Sequence, residues 1–136
     1  MPAPALYDYA VVRVVPHVER GEFVNAGVIV SCTAHQYLRA RIELDEARLL
    51  ALAPGLELGA IRRALAAIPV ICAGGPDAGV FEAFSARQRF DWLVAPRSAS
   101  IQTSPVHSGR CGDLDAALDR LVDRMVRLPA PGMPPA

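Results

Sequence analysis

The segment FVNAGVIVSC, residues 23–32, decides the predicted fold class because apolar side chains occupy every second position along it. One predicted face carries Val24, Ala26, Val28, Val30 and Cys32. The other carries Asn25, Gly27 and Ser31. Side chains alternate between the two faces of a strand, so this pattern predicts a β-strand with one face on the hydrophobic core.

Two further strands are predicted, one on each side of this segment along the chain. Residues 7–15 are rich in valine and tyrosine and are mostly apolar on both faces, which predicts a largely covered strand on which Arg13 is the anomaly. Residues 36–44 alternate apolar residues with arginine and glutamate. Because short loops join antiparallel neighbours, the three strands predict a meander with one face on the core.

Helical spacing replaces alternation in the middle of the chain. Asp45 is the predicted N-cap of a short helix, and Glu57 opens the next one. The apolar stripe of this second helix is Leu58, Ile61, Leu65 and Ile68. We expect Pro69 to interrupt the helix, because proline lacks the backbone N–H, and the sequence GGP at 74–76 to end it. A weaker helical segment is predicted at about residues 78–86.

The last third of the chain predicts one more strand and one more helix. Residues 97–106 favour a fourth strand that is polar for its length, and Asp113 is placed to cap a final helix. The stripe of that helix is Leu114, Leu118, Leu121, Met125 and Leu128. These elements predict a single α+β domain over residues 6–128, a small antiparallel sheet of about four strands with helices packed on one face. Residues 129–136 contain four prolines and predict a disordered tail.

Composition narrows the functional classes. The 14 basic and 14 acidic residues cancel, so no overall field attracts nucleic acid or an acidic membrane. All basic residues are arginines, which excludes lysine-based Schiff-base and P-loop chemistry; with the abundant alanine, glycine and proline, this predicts a bacterial source. The three cysteines show no CxxC spacing, so neither a metal site nor a cofactor is expected.

The expected compartment is the cytoplasm. The first five residues lack the basic and apolar regions of a leader, and no apolar run approaches the ~20 residues of a spanning helix. We therefore expect free thiols in a reducing compartment and no contact with a membrane.

His107 is the main candidate for chemistry among the three histidines. It is predicted to lie in a loop between a strand and a helix, flanked by Ser104 and Ser108, and such loops often carry sites because the scaffold fixes them. The pattern allows a hydroxyl–imidazole pair without an evident third group, and the hydroxyls serve a turn backbone equally well. None of the GxSxG, P-loop, Rossmann or HExxH motifs occurs.

Two arginines indicate a possible anion site. An arginine at position 97, with Arg13 close by, can hold a phosphate or carboxylate through paired hydrogen bonds. The alternative for Arg13 is an ion pair with a carboxylate such as Glu22 or Asp91. Asn25, the only asparagine, is disfavoured inside a strand, so it indicates either a β-bulge or a ligand.

Polar residues recur along the predicted fourth strand. Alternation places on one face Ser98, Ser100, Gln102 and Ser104. Burying such groups unpaired costs about 1–3 kcal/mol each, so they must pair with one another, with water or with a ligand. We therefore predict one polar depression that combines Ser98, Gln102 and Ser104 of this face with four further residues. These are Arg13, Asn25, Arg97 and His107. Arg97 belongs to the other face unless a bulge turns it, and a single site requires Arg13 and His107 on the same side of the sheet.

The stretch RQRFDW, residues 87–92, interleaves arginine with aromatic residues, a pattern that also occurs in proteins that bind nucleic acid. Its candidate contacts are Arg87, Arg89 and Trp92. Because the net charge is zero and arginine packs well against aromatic rings at ordinary surfaces, nucleic-acid binding is the least favoured interpretation.

Several ordered motifs resemble one family. They are YDYAVVR at 7–13, GEFVNAGV at 21–28, RFDWL at 89–93, APRS at 95–98 and IQTSPVHSG at 101–109. Together they resemble the small bacterial proteins known as domain of unknown function 3037, from about residue 7 to residue 128. The resemblance implies polar motif positions at Arg13, Glu22, Asn25, Arg97, Ser98, Gln102, Ser104 and His107. Ser108 departs from the threonine expected at its position.

The family has no established activity, and its members are often encoded beside a HipA-type kinase, which implies a partner or accessory role. We therefore expect a non-enzymatic accessory or binding protein that acts with a protein partner such as a HipA-type kinase. The alternative is a small enzyme or a phosphate- or anion-binding domain that uses Arg97, Ser98 and His107. A closed polar pocket around His107 favours the alternative, and an exposed apolar patch favours the partner.

Overall fold

A computed structural model describes residues 4–129 of the chain. The three predicted strands form β1 (Ala5–Val14), β2 (Val24–Cys32) and β3 (Tyr37–Ile42). Each pairs antiparallel with the next, so the predicted meander is confirmed. The segment predicted as a tail, residues 129–136, lies outside the described residues apart from Pro129.

Two short strands complete the sheet on the far side of β1. They are β4 (Ile101–Thr103) and β5 (His107–Cys111), and both pair antiparallel with β1. The predicted fourth strand, residues 97–106, therefore begins late and is interrupted, and His107 lies in a strand rather than in a loop. Pro105 explains the interruption, because proline cannot donate to a strand ladder. The sheet order is β3-β2-β1 followed by β4 and β5.

Four α-helices surround the sheet. They are α1 (Glu46–Leu52), α2 (Leu58–Ala73), α3 (Ala86–Leu93) and α4 (Leu114–Met125). The predicted caps are confirmed, since the carboxylates of Asp45, Glu57 and Asp113 each accept a hydrogen bond from a backbone N–H in the first turn. Between residues 4 and 129, no single helix combines the length and the apolar character needed to cross a membrane.

Two helical predictions in the middle of the chain were wrong. Pro69 does not interrupt α2, which continues through it to Ala73. The helix buries Ile61, Leu65 and Ile68 on the core, and this packing outweighs the one hydrogen bond that the proline removes. The weak helix predicted at 78–86 is a 3₁₀ segment with a kink, and α3 starts after it at a Ser85 capping box.

Helices cover both faces of the sheet, so the α+β class is confirmed while the expectation of helices on one face is corrected. One face packs through Val12, Val14 and Ile29 against α1, α2 and α3. The opposite face packs through Val28 and Val30 against α4. Because β1 is apolar on both of its faces, it can supply residues to both cores.

A β-bulge in β2 corrects the predicted alternation of that strand. Val12 pairs with Gly27, yet the next residue, Arg13, pairs with Asn25, so Ala26 is the extra residue. One extra residue reverses the alternation, which moves Val24 to the other core and turns Asn25 towards the face of α4. The neighbouring Gly27 is required there, because a Cβ would lie 2.6 Å from a carbonyl oxygen of β3.

Candidate functional site

A row of three polar side chains crosses the sheet at the bulge. In this row Arg13 of β1 lies directly between Asn25 of β2 and Gln102 of β4. Directly paired residues in antiparallel strands project to the same face, so the three side chains share the face that α4 covers elsewhere. The sequence predicted that these residues belong together, and the register brings them together.

Arg13 has no anionic partner among residues 4–129. Both of the proposed carboxylates are used elsewhere, because Glu22 pairs with Arg20 and Asp91 pairs with Arg87. The Arg13 guanidinium instead lies over the Phe23 ring, 4.2 Å from its centroid. Its Nε is buried and has no hydrogen-bond partner in the described part of the chain. A buried donor without a partner is costly, so the environment of Arg13 is unusual among the arginines of the described chain.

Asn25 holds the end of α4. Its Nδ2 donates to the carbonyl oxygen of Met125 at 2.9 Å, which satisfies one of the free carbonyls at the helix C-terminus. Its Oδ1 is buried and unpaired in residues 4–129. Of the two explanations for an asparagine in this strand, the bulge is the one observed, and Asn25 acts as an anchor beside the site rather than as a wall of it.

A surface cleft of about 630 Å³ opens beside Arg13. The polar residues that line it are Arg13, Arg97, Ser98 and Gln102. Its apolar and backbone walls come from Val15, Val18, Gly21, Phe23 and Pro96. Four of the seven predicted site residues therefore meet at one cleft, with two guanidinium groups and no acidic side chain among its described lining.

Arg97 is held in the cleft by its own loop. Its guanidinium donates to the carbonyl oxygens of Trp92 and Ala95 and lies 4.5 Å from the centroid of the Trp92 ring. Arg97 precedes β4, so strand alternation does not turn it away from the cleft. Gln102 is held similarly, because its Nε2 donates to the carbonyl oxygen of Ala99 at 2.9 Å.

Ser104 has a structural role and does not line the cleft. Its hydroxyl is buried, accepts from the Val11 N–H at 2.9 Å and donates to the Pro105 carbonyl oxygen at 2.9 Å. The hydroxyl thus satisfies a donor of β1 at the gap between β4 and β5. The alternative in which these hydroxyls serve the backbone is the one observed for Ser104.

His107 lies on the same face as Arg13 but away from the cleft. It pairs with Tyr9, whose ring centroid is 5.5 Å from that of the imidazole, and Tyr9 is four residues from Arg13 along β1. That separation amounts to about 13 Å along the strand. The required common face is present, but the residues do not form one compact site.

The neighbouring hydroxyl is not available to His107. Ser108 projects to the other face and donates to the Asp8 carboxylate at 2.7 Å, and Arg87 donates to the same carboxylate at 2.8 Å. The Arg87 hydrogen bond, with a smaller contribution from Ser108, lowers the pKa of Asp8. The predicted hydroxyl–imidazole pair therefore does not form with either flanking serine.

The stretch at 87–92 uses its cations internally. Arg87 forms ion pairs with Asp8 and Asp91, and Arg89 donates to the carbonyl oxygens of Cys72 and Phe84. Phe90 is fully buried. The geometry of this stretch gives no support to a nucleic-acid interface.

Sequence reasoning missed the aromatic platform of the cleft. Phe23 lies beneath Arg13 and is 42% exposed, a high value for a large apolar side chain next to a strand. The alternation at 23–32 gave no reason to assign Phe23 a role beyond that of an ordinary strand residue. An aromatic residue one position outside the apolar alternation was the available signal. The residues from 4 to 129 hold no cluster of three or more His, Cys, Asp or Glu that could bind a metal ion.

The fold and the cleft define a small α+β protein with helices on both faces of an antiparallel sheet and a two-arginine cleft at one edge. Comparison with known families then places it further: the chain belongs to the family described as Protein of unknown function (DUF3037), which matches residues 9–126. Searches of curated proteins and of solved structures found no match to the chain.

Proposed function

We propose that this protein is a non-enzymatic binding protein that holds an anionic group, a phosphate or a carboxylate, between Arg13 and Arg97. The observation that carries the proposal is Arg13, whose buried Nε lacks a partner in the described chain and whose side chain lines an open cleft. Arginine presents a planar set of N–H donors that matches the paired oxygens of both anions.

The neighbours of Arg13 suit recognition of an anion. Arg97 supplies a second cation, and Ser98 and Gln102 supply neutral hydrogen-bonding groups in the same cleft. Phe23 and Trp92 lie against the two guanidinium groups, and Arg97 keeps N–H donors beyond the two that bond the Trp92 and Ala95 carbonyl oxygens. The enzyme alternative with Arg97, Ser98 and His107 draws less support, because His107 does not line the cleft.

The biological setting is also a proposal. A bacterial cytoplasmic location is supported by three buried, unpaired cysteines and by a chain that contains arginine and no lysine. The anion is presented by a protein partner in this view, and a HipA-type kinase as that partner stays a prediction.

Trp92 provides a direct test, because it is the only tryptophan and lies beside Arg97. We expect its fluorescence to change saturably when inorganic phosphate or acetate is added, and the better of the two identifies the preferred anion. Arg13→Gln should weaken binding at least tenfold, as should Arg97→Gln, because each removes half of the paired donors.

The matched control is Arg110→Gln, which removes the same charge from an exposed position on β5 outside the cleft. Its affinity should equal that of the wild type. Calorimetry and a thermal melt of each variant separate lost binding from lost folding. The proposal fails if neither anion binds, or if the Arg13 and Arg97 variants bind as well as the Arg110 control.

A further inference from the structure

The outer edge of β3 is an unpaired strand edge. β3 pairs with β2 over six residues in unbroken register and with no other described strand. No backbone hydrogen bond from another described element reaches its outer side. It contains neither proline nor a bulge, two of the common protections of an edge strand, and its charged residues are Arg39 and Arg41. Its free N–H and C=O groups are therefore a template for one more strand.

A groove of about 790 Å³ runs along this edge. Five consecutive residues of β3, from Tyr37 to Arg41, line it. Helices from both layers form its walls with Pro69, Cys72, Ala73, Ala86 and Leu118. Burial raises the pKa of the Cys72 thiol to about 12, so this wall is neutral. Four of these five wall residues, all except Leu118, are small, which leaves room for the side chains of an added strand.

The groove suits a single extended segment better than a second copy of the chain. β3 forms its floor between α2 and α3 on one side and α4 on the other. If the β3 strands of two copies paired, Arg39 and Arg41 of one copy would lie beside those of the other, and like charges on paired strands are destabilising. One chain segment has no such obstacle.

The charges along the groove select an acidic segment. The basic residues that line the groove are His35, Arg39, Arg41 and Arg89. No described lining residue is acidic. The nearby carboxylates of Asp115 and Asp119 on α4 pair with Arg39 and Arg41, so three arginines face two aspartates and a positive charge remains. Each guanidinium also keeps N–H donors beyond those that one carboxylate uses.

We propose that the edge of β3 binds an extended, acidic segment of a partner protein, which adds to the sheet as a sixth strand between α2 and α4. Main-chain hydrogen bonds to β3 supply affinity, and carboxylates that alternate with small apolar side chains supply specificity. This surface is separate from the Arg13–Arg97 cleft, and the two proposals stand or fall independently.

The test is a selection of random displayed peptides of about ten residues, long enough for a strand, on the folded protein. We expect the selected peptides to be enriched in Asp and Glu at alternate positions. Their binding should slow amide exchange in β3 more than in β5. Ala73→Trp fills the groove and should weaken binding at least tenfold. Ala66→Trp, on an exposed position of α2 outside the groove, should leave it unchanged.

Thermal melts of both tryptophan variants show whether each is folded. The proposal is overturned if no peptide is selected, if the selected peptides bind Ala73→Trp as tightly as Ala66→Trp, or if they lack acidic residues. Sedimentation of the protein alone tests whether a second copy of the chain occupies the edge instead. A dimer that Ala73→Trp dissociates and Ala66→Trp does not would assign the edge to a second copy.

Discussion

The two edges of the sheet are built in opposite ways. At one edge, β4 and β5 are short and separated by Ser104, Pro105 and Val106, and the side chains around β4 form a cleft. At the other edge, β3 is regular and its backbone lies open between helices. An interrupted edge has little backbone to offer but can arrange side chains around a small group, whereas a regular edge offers the backbone itself. One small sheet can therefore present two kinds of binding surface.

The largest loss of stability is expected from truncating a buried side chain of α4, the helix that forms one wall of the groove at the β3 edge. Leu121 of α4 is buried against Val28 and Val30, and Leu121→Ala should lower the free energy of unfolding by about 2–5 kcal/mol. Chemical denaturation measures the loss, and amide exchange should rise more in β3 than in β5. Leu128→Ala, at a residue that is 62% exposed, is the control. A loss in Leu121→Ala no larger than in the control would contradict the placement of α4.

A smaller effect is expected at the interrupted edge. Ser104→Ala leaves the Val11 N–H without its acceptor, which should cost about 1–3 kcal/mol of unfolding free energy. Ser100→Ala changes an exposed hydroxyl nearby and should be neutral. If the two variants melt at the same temperature, the hydroxyl of Ser104 does not hold this edge to β1.

The smallest effect concerns pH. The folded pKa of Asp8 lies below the usual 3.8 because Arg87 and Ser108 hydrogen-bond its carboxylate. The resulting stabilisation is fully present above the unfolded pKa and is lost as the pH falls through the lower folded pKa. Asp8→Asn should therefore reduce the stability difference between about pH 6 and about pH 3, by about 1 kcal/mol or less.

Asp77→Asn is the matched control for this pH dependence, since Asp77 is exposed and forms no ion pair with a residue between 4 and 129. Melting curves across the acid range compare the two. If wild type and Asp8→Asn lose stability in parallel as the pH falls, the ion pair between Arg87 and Asp8 does not stabilise the contact of α3 with β1. The same change in Asp77→Asn as in Asp8→Asn would show a general charge effect.

Local patterns predicted the parts of the fold that local physics controls. The strand at 24–32 and the caps at Asp45 and Asp113 were confirmed, because strand pleat and free helix N–H groups act over a few residues. The bulge at Ala26, which reverses the predicted alternation before Gly27, was missed because it depends on the pairing with β1. Pro69 was misjudged because the burial of Ile61, Leu65 and Ile68 that sustains α2 is tertiary.

The candidate site was predictable in its residue types and not in its grouping. Arg13, Arg97, Ser98 and Gln102 were chosen for their polarity and do meet at one cleft. Ser104 and His107 belong to the same sequence motif but do not line the cleft. Ser104 bonds the backbone of β1 and His107 pairs with Tyr9, because the break at Pro105 changes the register between β4 and β5. Whether a carboxylate neutralises Arg13 depends on contacts far apart in the chain, which no local pattern contains.

The single extra residue at Ala26 determines whether an aromatic ring lies beneath Arg13 in the cleft. Without the extra residue, uninterrupted alternation would project Phe23 and Asn25 to the face of the larger helical layer. With it, Phe23 lies under Arg13 and Asn25 reaches the end of α4. A gain or loss of three nucleotides at this point would build or dismantle the platform of the cleft in one step, while the paired half of β2 beyond Gly27 kept its register. Among related chains, an insertion or deletion here would separate those that have the cleft from those that do not.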